Sequence, residues 1–234
     1  MINLVAAAAF FLAIHFLISG TKLRGRIVAV TGETPYLGLF SLASIGGLGW
    51  LCMAYRATDG IPNRLYWVAP DWLVHLAPPV MIVAFLFALI GLTTPNPTAV
   101  KAEGVLDKPD AVRGMLRITR HPFLWSVMIW AALHIALNGD KASIIFFGTF
   151  LVLAALGTLS IDEKRKKALG EKWEGFAKAT SNLPFAAIVA GRNRFAIGEL
   201  GWWRILLGLI AFGAIFYAHL WLFGVPPVPG WAPY

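Results

Sequence analysis

The chain has 234 residues, of which 58 % are hydrophobic and only 14 % charged, with a formal net charge of +8. So apolar a composition excludes an ordinary soluble domain. The surplus of Lys and Arg does not indicate nucleic acid either, because the basic residues sit beside apolar runs and form no separate patch.

Six apolar runs follow in chain order, at residues 2–19, 36–55, 72–92, 122–138, 142–160 and 203–223. Each is close to the roughly 17–25 residues that cross a bilayer as a helix. The fold class expected is all-α: a polytopic membrane bundle of about six transmembrane helices. The first run starts at Ile2 with neither a charged segment before it nor a small-residue cleavage site, so a retained helix is expected rather than a secretory signal. It ends at Ser19-Gly20. Gly32-Glu33-Thr34-Pro35 launches the second run, with Tyr36 and Tyr55 as aromatic anchors at its two ends. Inside it Ser41, Ser44, Gly46, Gly47 and Gly49 suit close helix approach. Cys52, the one cysteine, lies here too; it excludes an intramolecular disulfide and reads as a small packing residue.

The third run contains Pro78-Pro79, which should kink or loosen its outer end, and stops at Thr93-Thr94-Pro95-Asn96-Pro97. Asn138-Gly139-Asp140 joins the fourth and fifth runs by a tight turn, which makes them antiparallel neighbours. Beyond the fifth, Leu169, Trp173 and Phe176 share one helical face. This predicts an amphipathic helix on the cytosolic membrane surface, with Lys164–Lys167 towards the headgroups. The organisation expected is a single transmembrane domain over residues 1–224 and a proline-rich outer tail over 225–234.

Of the twenty Lys and Arg, seventeen lie in the first, third and fifth connections or, for Arg204, at the edge of one; only Arg56, Arg64 and Lys141 lie elsewhere. Short basic loops stay in the cytoplasm, so these three connections face in and both termini face out.

Ionisable groups within spans are expensive and become functional candidates. At about 1.5 Å per residue, His15 lies ~10 Å from the inner face, His134 ~18 Å, and His75 and His219 ~25 Å. Two neutral imidazoles on different helices can clamp a haem iron. His134 is the pivot, since its axial offset from either His15 or His75 is only ~7–8 Å. The alternative is that each histidine only bonds a neighbouring carbonyl. At the inner boundary, Arg117-Ile118-Thr119-Arg120-His121-Pro122 opens the fourth run. A helix N-terminus with Arg120 offers a seat for a carboxylate or phosphate; equally, the segment is a positive-inside anchor. Asp162 and Glu163, after the fifth run, either hold the amino and ribose groups of a cofactor there or neutralise Arg117 or Arg120.

These segments together resemble the NnrU family of bacterial membrane proteins. The matching pieces are Ala13-Ile14-His15-Phe16-Leu17-Ile18-Ser19 before Leu23-Arg24, Gly32-Glu33 with Tyr36, and Phe40-Ser41-Leu42-Ala43-Ser44. Then come Ile118-Thr119-Arg120-His121-Pro122-Phe123-Leu124-Trp125, Trp130 with His134, Asn138-Gly139-Asp140, and Thr180-Ser181 before Pro184-Phe185. The resemblance implies a multi-pass protein of the bacterial inner membrane, linked to denitrification through expression or maturation of nitrite and nitric oxide reductases.

Two enzyme groups are similar as well. Zeta-carotene isomerase, which uses haem in the membrane, matches at His15 and at His134; where it has a cysteine near the second histidine, this chain has Ala131. The isoprenylcysteine carboxyl methyltransferases match at Arg120-His121-Pro122, Glu163, Leu169-Gly170, Trp173, Phe176 and Leu183-Pro184-Phe185, elements that there cradle S-adenosylmethionine.

Three functions are therefore expected to compete. The first is a haem b protein with His134 as one axial ligand and His15, or geometrically His75, as the other, acting on or beside a hydrophobic small molecule. The second is a methyltransferase holding S-adenosylmethionine on Arg120, His121 and Glu163. The third is a non-catalytic assembly factor for denitrification membrane proteins.

Overall fold

A computed structural model describes residues 1–231; the end of the proline-rich tail, residues 232–234, lies outside the described residues. The elements are α1 (Ile2–Ala13), a π-helical turn (Ile14–Ile18), α2 (Lys22–Thr31), α3 (Glu33–Arg56), α4 (Asp71–Thr93) and α5 (Met115–Ile118). They continue with α6 (Pro122–Asn138), α7 (Lys141–Leu169), α8 (Glu171–Ala179), α9 (Ala186–Val189) and α10 (Trp202–Phe223). No strand occurs among the described residues, so the chain is all-α.

Four helices, α3, α4, α7 and α10, are long and apolar enough to cross a membrane. The first helix with its π turn, taken with α2 across a 77° bend, makes a fifth. The fourth apolar run forms α6, a shorter helix of 17 residues. At ~1.5 Å per residue α6 reaches ~25 Å, just short of a ~30 Å hydrocarbon core.

The described chain divides into two compact units, one of residues 1–69 and 131–153, the other of residues 70–130 and from 154 onwards. In the first unit α1 packs on α3. Of the three glycines among the small residues, Gly47 makes that contact: a side chain there would press on the rings of Phe10 and Phe11, whereas Gly46 and Gly49 face open space. Leu4, Ala7 and Phe11 of α1 and Leu51 of α3 are buried there. Cys52 does not pack in this core; it is exposed. The bend after the π turn needs Gly20, whose added Cβ would collide with the Phe16 carbonyl. Thr21 then caps α2 by accepting the Leu23 N–H at 3.1 Å.

The Asn-Gly-Asp segment joins α6 to α7, and Asp140 caps α7 by accepting the Ser143 N–H at 2.9 Å and its hydroxyl at 2.6 Å. Asn63 adds a hydrogen bond of 2.7 Å to the same carboxylate. Gly139 has φ +69°, and a Cβ there would meet the Trp67 carbonyl. Tyr55 stacks its ring on Phe146 and pairs its hydroxyl with Ser143 at 2.8 Å.

In the second unit α4 packs along α10, with Gly208 against Leu86. Helix α4 runs on through Pro78 and Pro79 to Thr93. A Cβ at Gly91 would stand 2.8 Å from the Pro122 ring, so this glycine lets α4 and the start of α6 touch. Helix α8 is amphipathic, but its apolar face meets protein, not lipid: Trp173 and Phe176 are buried around Leu116, with Leu106, Val112 and Leu169 against them. Trp231 folds back on α10, its ring 5.6 Å from that of Phe216.

Candidate functional site

Two groups of candidate residues form, one in each unit. In the second unit, residues 118–120 are strapped to residues 181–185. Arg120 N–H donates to the Ser181 carbonyl at 2.9 Å and Phe185 N–H to that of Ile118 at 2.8 Å. The Thr119 hydroxyl donates to the Asn182 carbonyl at 2.5 Å. This strap fixes the direction of the next two side chains. Arg120 Nε lies 2.9 Å from both oxygens of Asp162, and its Nη2 makes an ion pair with one of them. His121, only 2 % exposed, donates from Nε2 to Asp162 Oδ1 at 2.7 Å. One carboxylate thus takes both groups, and the Trp173 ring lies 6.0 Å from the Arg120 guanidinium. Glu163, next in sequence, is exposed and pairs with Lys167 instead.

The neighbouring arginine has its own carboxylate. Arg117 meets Glu199 through Nε at 2.7 Å and Nη2 at 3.0 Å, and Gly114 N–H donates to it at 2.9 Å. The Arg117 hydrogen bonds hold the Glu199 carboxyl far below its ordinary 4.5, at about 2. Nothing in the sequence pattern marks Glu199, which is 82 residues from its partner. Chemically this whole group is a satisfied lock: every charge has a short, direct partner.

In the first unit His15 sits on the π-helical turn, a feature frequent at functional positions. Its Nδ1 is 2.7 Å from the Phe11 carbonyl. A carbonyl only accepts, so Nδ1 donates this bond; in the neutral ring that leaves the lone pair on Nε2, the tautomer a metal-ligating imidazole uses. The His15 ring lies 4.6 Å from that of Phe11 and 5.3 Å from that of Phe40. His134 stacks on Phe147 at 4.7 Å. Between them runs a continuous set of rings: Phe147 to Phe146 at 5.0 Å, Phe146 to Phe150 at 5.2 Å, and Phe150 to Phe11 at 5.9 Å. His15 and His134 therefore border one aromatic cluster. Ala131, one turn before His134, is fully buried.

His75 belongs to the second unit; it is exposed, and its Nδ1 lies 2.7 Å from the Asp71 carbonyl. His219 bonds the Val225 carbonyl at 2.8 Å. Among the described residues no three His, Cys, Asp or Glu side chains gather as a metal site.

Tyr36 was not expected inside this region. It is 4 % exposed, stacks on Phe40 at 5.9 Å, and has the Arg24 guanidinium 5.3 Å from its ring centroid.

A family model described as "NnrU protein" matches residues 3–227. The chloroplastic 15-cis-zeta-carotene isomerase of Zea mays is 32 % identical over 81 residues, 35 % of this chain and 22 % of that protein. That of Arabidopsis thaliana is 33 % identical over 80 residues, 34 % of this chain and 22 % of that protein. The matched stretch thus spans about a fifth of these curated relatives. No solved structure matches.

Proposed function

The chain belongs to the NnrU family, and on that premise we propose that it is a haem b protein of the bacterial inner membrane, with His15 and His134 as axial ligands. The observation that carries this reading is that both imidazoles border one aromatic cluster within the first unit. The fit of donors to group is chemical. His15 offers a neutral imidazole oriented by a backbone carbonyl, and the phenylalanine rings supply apolar surroundings of low dielectric. Bound haem supplies a redox-active iron whose potential the axial pair and the surrounding polarity set. The protein's own part is to hold the two imidazoles, exclude water with Phe11, Phe146, Phe147 and Phe150, and present an apolar face to a hydrophobic small molecule.

The curated relatives are named as isomerases of a carotene; what is carried over from that name is an apolar substrate class, not that substrate. We place the activity in denitrification, as redox sensing, electron transfer or isomerase-like chemistry that supports nitrite and nitric oxide reductases. The basic connections lie in the cytoplasm and both termini in the periplasm, following the positive-inside rule; reporter fusions after residues 30, 110 and 185 test this, and a periplasmic signal from any overturns it. The methyltransferase reading gains no support from the second unit, because Arg120 and His121 are already spent on Asp162.

Purification in detergent after haem-replete expression should give a Soret band. His134→Ala and His15→Ala should each abolish or shift it, and His75→Ala should leave it alone. A featureless wild-type spectrum overturns the proposal.

A further inference from the structure

Almost every helical hydroxyl in this chain that turns inwards finds an acceptor. Thr93, Thr94, Thr149 and Thr180 each bond a carbonyl four residues back, and Tyr55 bonds Ser143. Tyr36 and Ser44 do not: both oxygens are buried and neither has a hydrogen-bond partner among the described residues. Buried polar groups in folded proteins are nearly always satisfied, so two orphans on one helix call for an explanation.

Their placement supplies one. Residues 36, 40 and 44 follow at intervals of four along α3 and so share one face. Phe40, the middle one, is the ring against which His15 stands edge-on. The orphan hydroxyls therefore flank the contact between α3 and the candidate ligand histidine. Tyr36 is also the more basic end of that face, because Arg24 lies over its ring and Lys22 and Arg26 share the same short helix. Arg24 is itself paired with Glu33, so it contributes field rather than a free donor.

We propose that the Tyr36 hydroxyl, seconded by Ser44, donates a hydrogen bond to a carboxylate on the polar edge of the ring ligand held by His15. The proposal rests on the haem reading above and assigns Tyr36 as a ligand-orienting residue. A phenol donor beneath a guanidinium favours an anionic acceptor over a neutral one. A tyrosine that only packed would fill the same space as phenylalanine and would gain from losing an unsatisfied hydroxyl.

The test titrates ligand-free, detergent-purified protein with ferric protoporphyrin IX and, separately, with its dimethyl ester, following the Soret band. Wild type should bind the free acid more tightly than the ester. Tyr36→Phe should lose about tenfold in affinity for the free acid and nothing for the ester, with Ser44→Ala showing a smaller loss of the same kind. The ligand-free Tyr36→Phe protein should melt at the wild-type temperature or above it. Equal binding of free acid and ester by both proteins overturns the assignment of Tyr36 while leaving haem binding intact. A parallel loss for both porphyrins, with lowered ligand-free melting, overturns it in favour of packing. Saturable binding of neither porphyrin by wild type overturns the haem reading and this one with it.

Discussion

The two candidate groups differ in how far their polar atoms are satisfied. In the second unit Arg117, Arg120 and His121 each close on a carboxylate within 3.0 Å. In the first unit a lone-pair nitrogen on His15 and two buried hydroxyls on α3 lack any such closure. A cluster that is complete by itself has little differential energy left for a ligand, whereas one with uncompensated donors gains by binding something. The conspicuous Arg-His-Pro motif thus reads as architecture, and the quieter residues around His15 as the place where chemistry is available.

The comparison is broken most directly at Asp162. Asp162→Ala leaves Arg120 without its counter-charge and the buried His121 without its hydrogen-bond acceptor, and should cost about 3 kcal/mol or more, seen as a lowered midpoint in chemical unfolding, while the Soret position of the folded protein stays that of wild type. A displaced Soret band would join the two groups and sink the distinction. A gentler contrast is between tyrosines. Tyr55→Phe removes a satisfied hydroxyl and should cost about 1 kcal/mol, whereas ligand-free Tyr36→Phe should cost none.

Acid titration sharpens the lock's chemistry. The Glu199 carboxyl is depressed from 4.5 to about 2, so its contribution is fully present above pH 4.5 and is lost as pH falls through about 2. Glu199→Gln should flatten the fall in stability across that window, measured by melting temperature against pH. The smallest effect is expected at Glu163, exposed and paired only with Lys167. Glu163→Gln should change stability by less than about 0.5 kcal/mol and leave the absorption spectrum unchanged.

Much of the fold is legible in the sequence because lipid imposes long apolar runs, and each of the six runs became a helix or bent pair. The Asn-Gly-Asp turn was legible because Asp140 can cap α7 and only glycine tolerates φ +69° beside Trp67. Azimuth was not. Asp162 and Glu163 differ by ~100° around α7, and tertiary packing alone decides which one meets Arg120. Likewise, the stripe Leu169, Trp173 and Phe176 announces a buried face without saying whether lipid or Leu116 buries it. Tyr36 looked like an interfacial anchor because position along a span is readable, while enclosure by α2 and Phe40 is not.

The wide turn at residues 14–18 has a consequence for how α1 could vary. Ser19 N–H reaches back five residues to the Ile14 carbonyl at 3.2 Å, so this stretch accommodates one amino acid more than a regular helix would. Excising any single residue there would restore ordinary winding, leaving the helix on either side close to its present phase but re-aiming side chains inside the stretch by up to ~100°. Leu4, Ala7 and Phe11 would keep their seats while the side chains of the turn, His15 among them, were redistributed. Length, in this one loop of helix, is as constrained as any side chain.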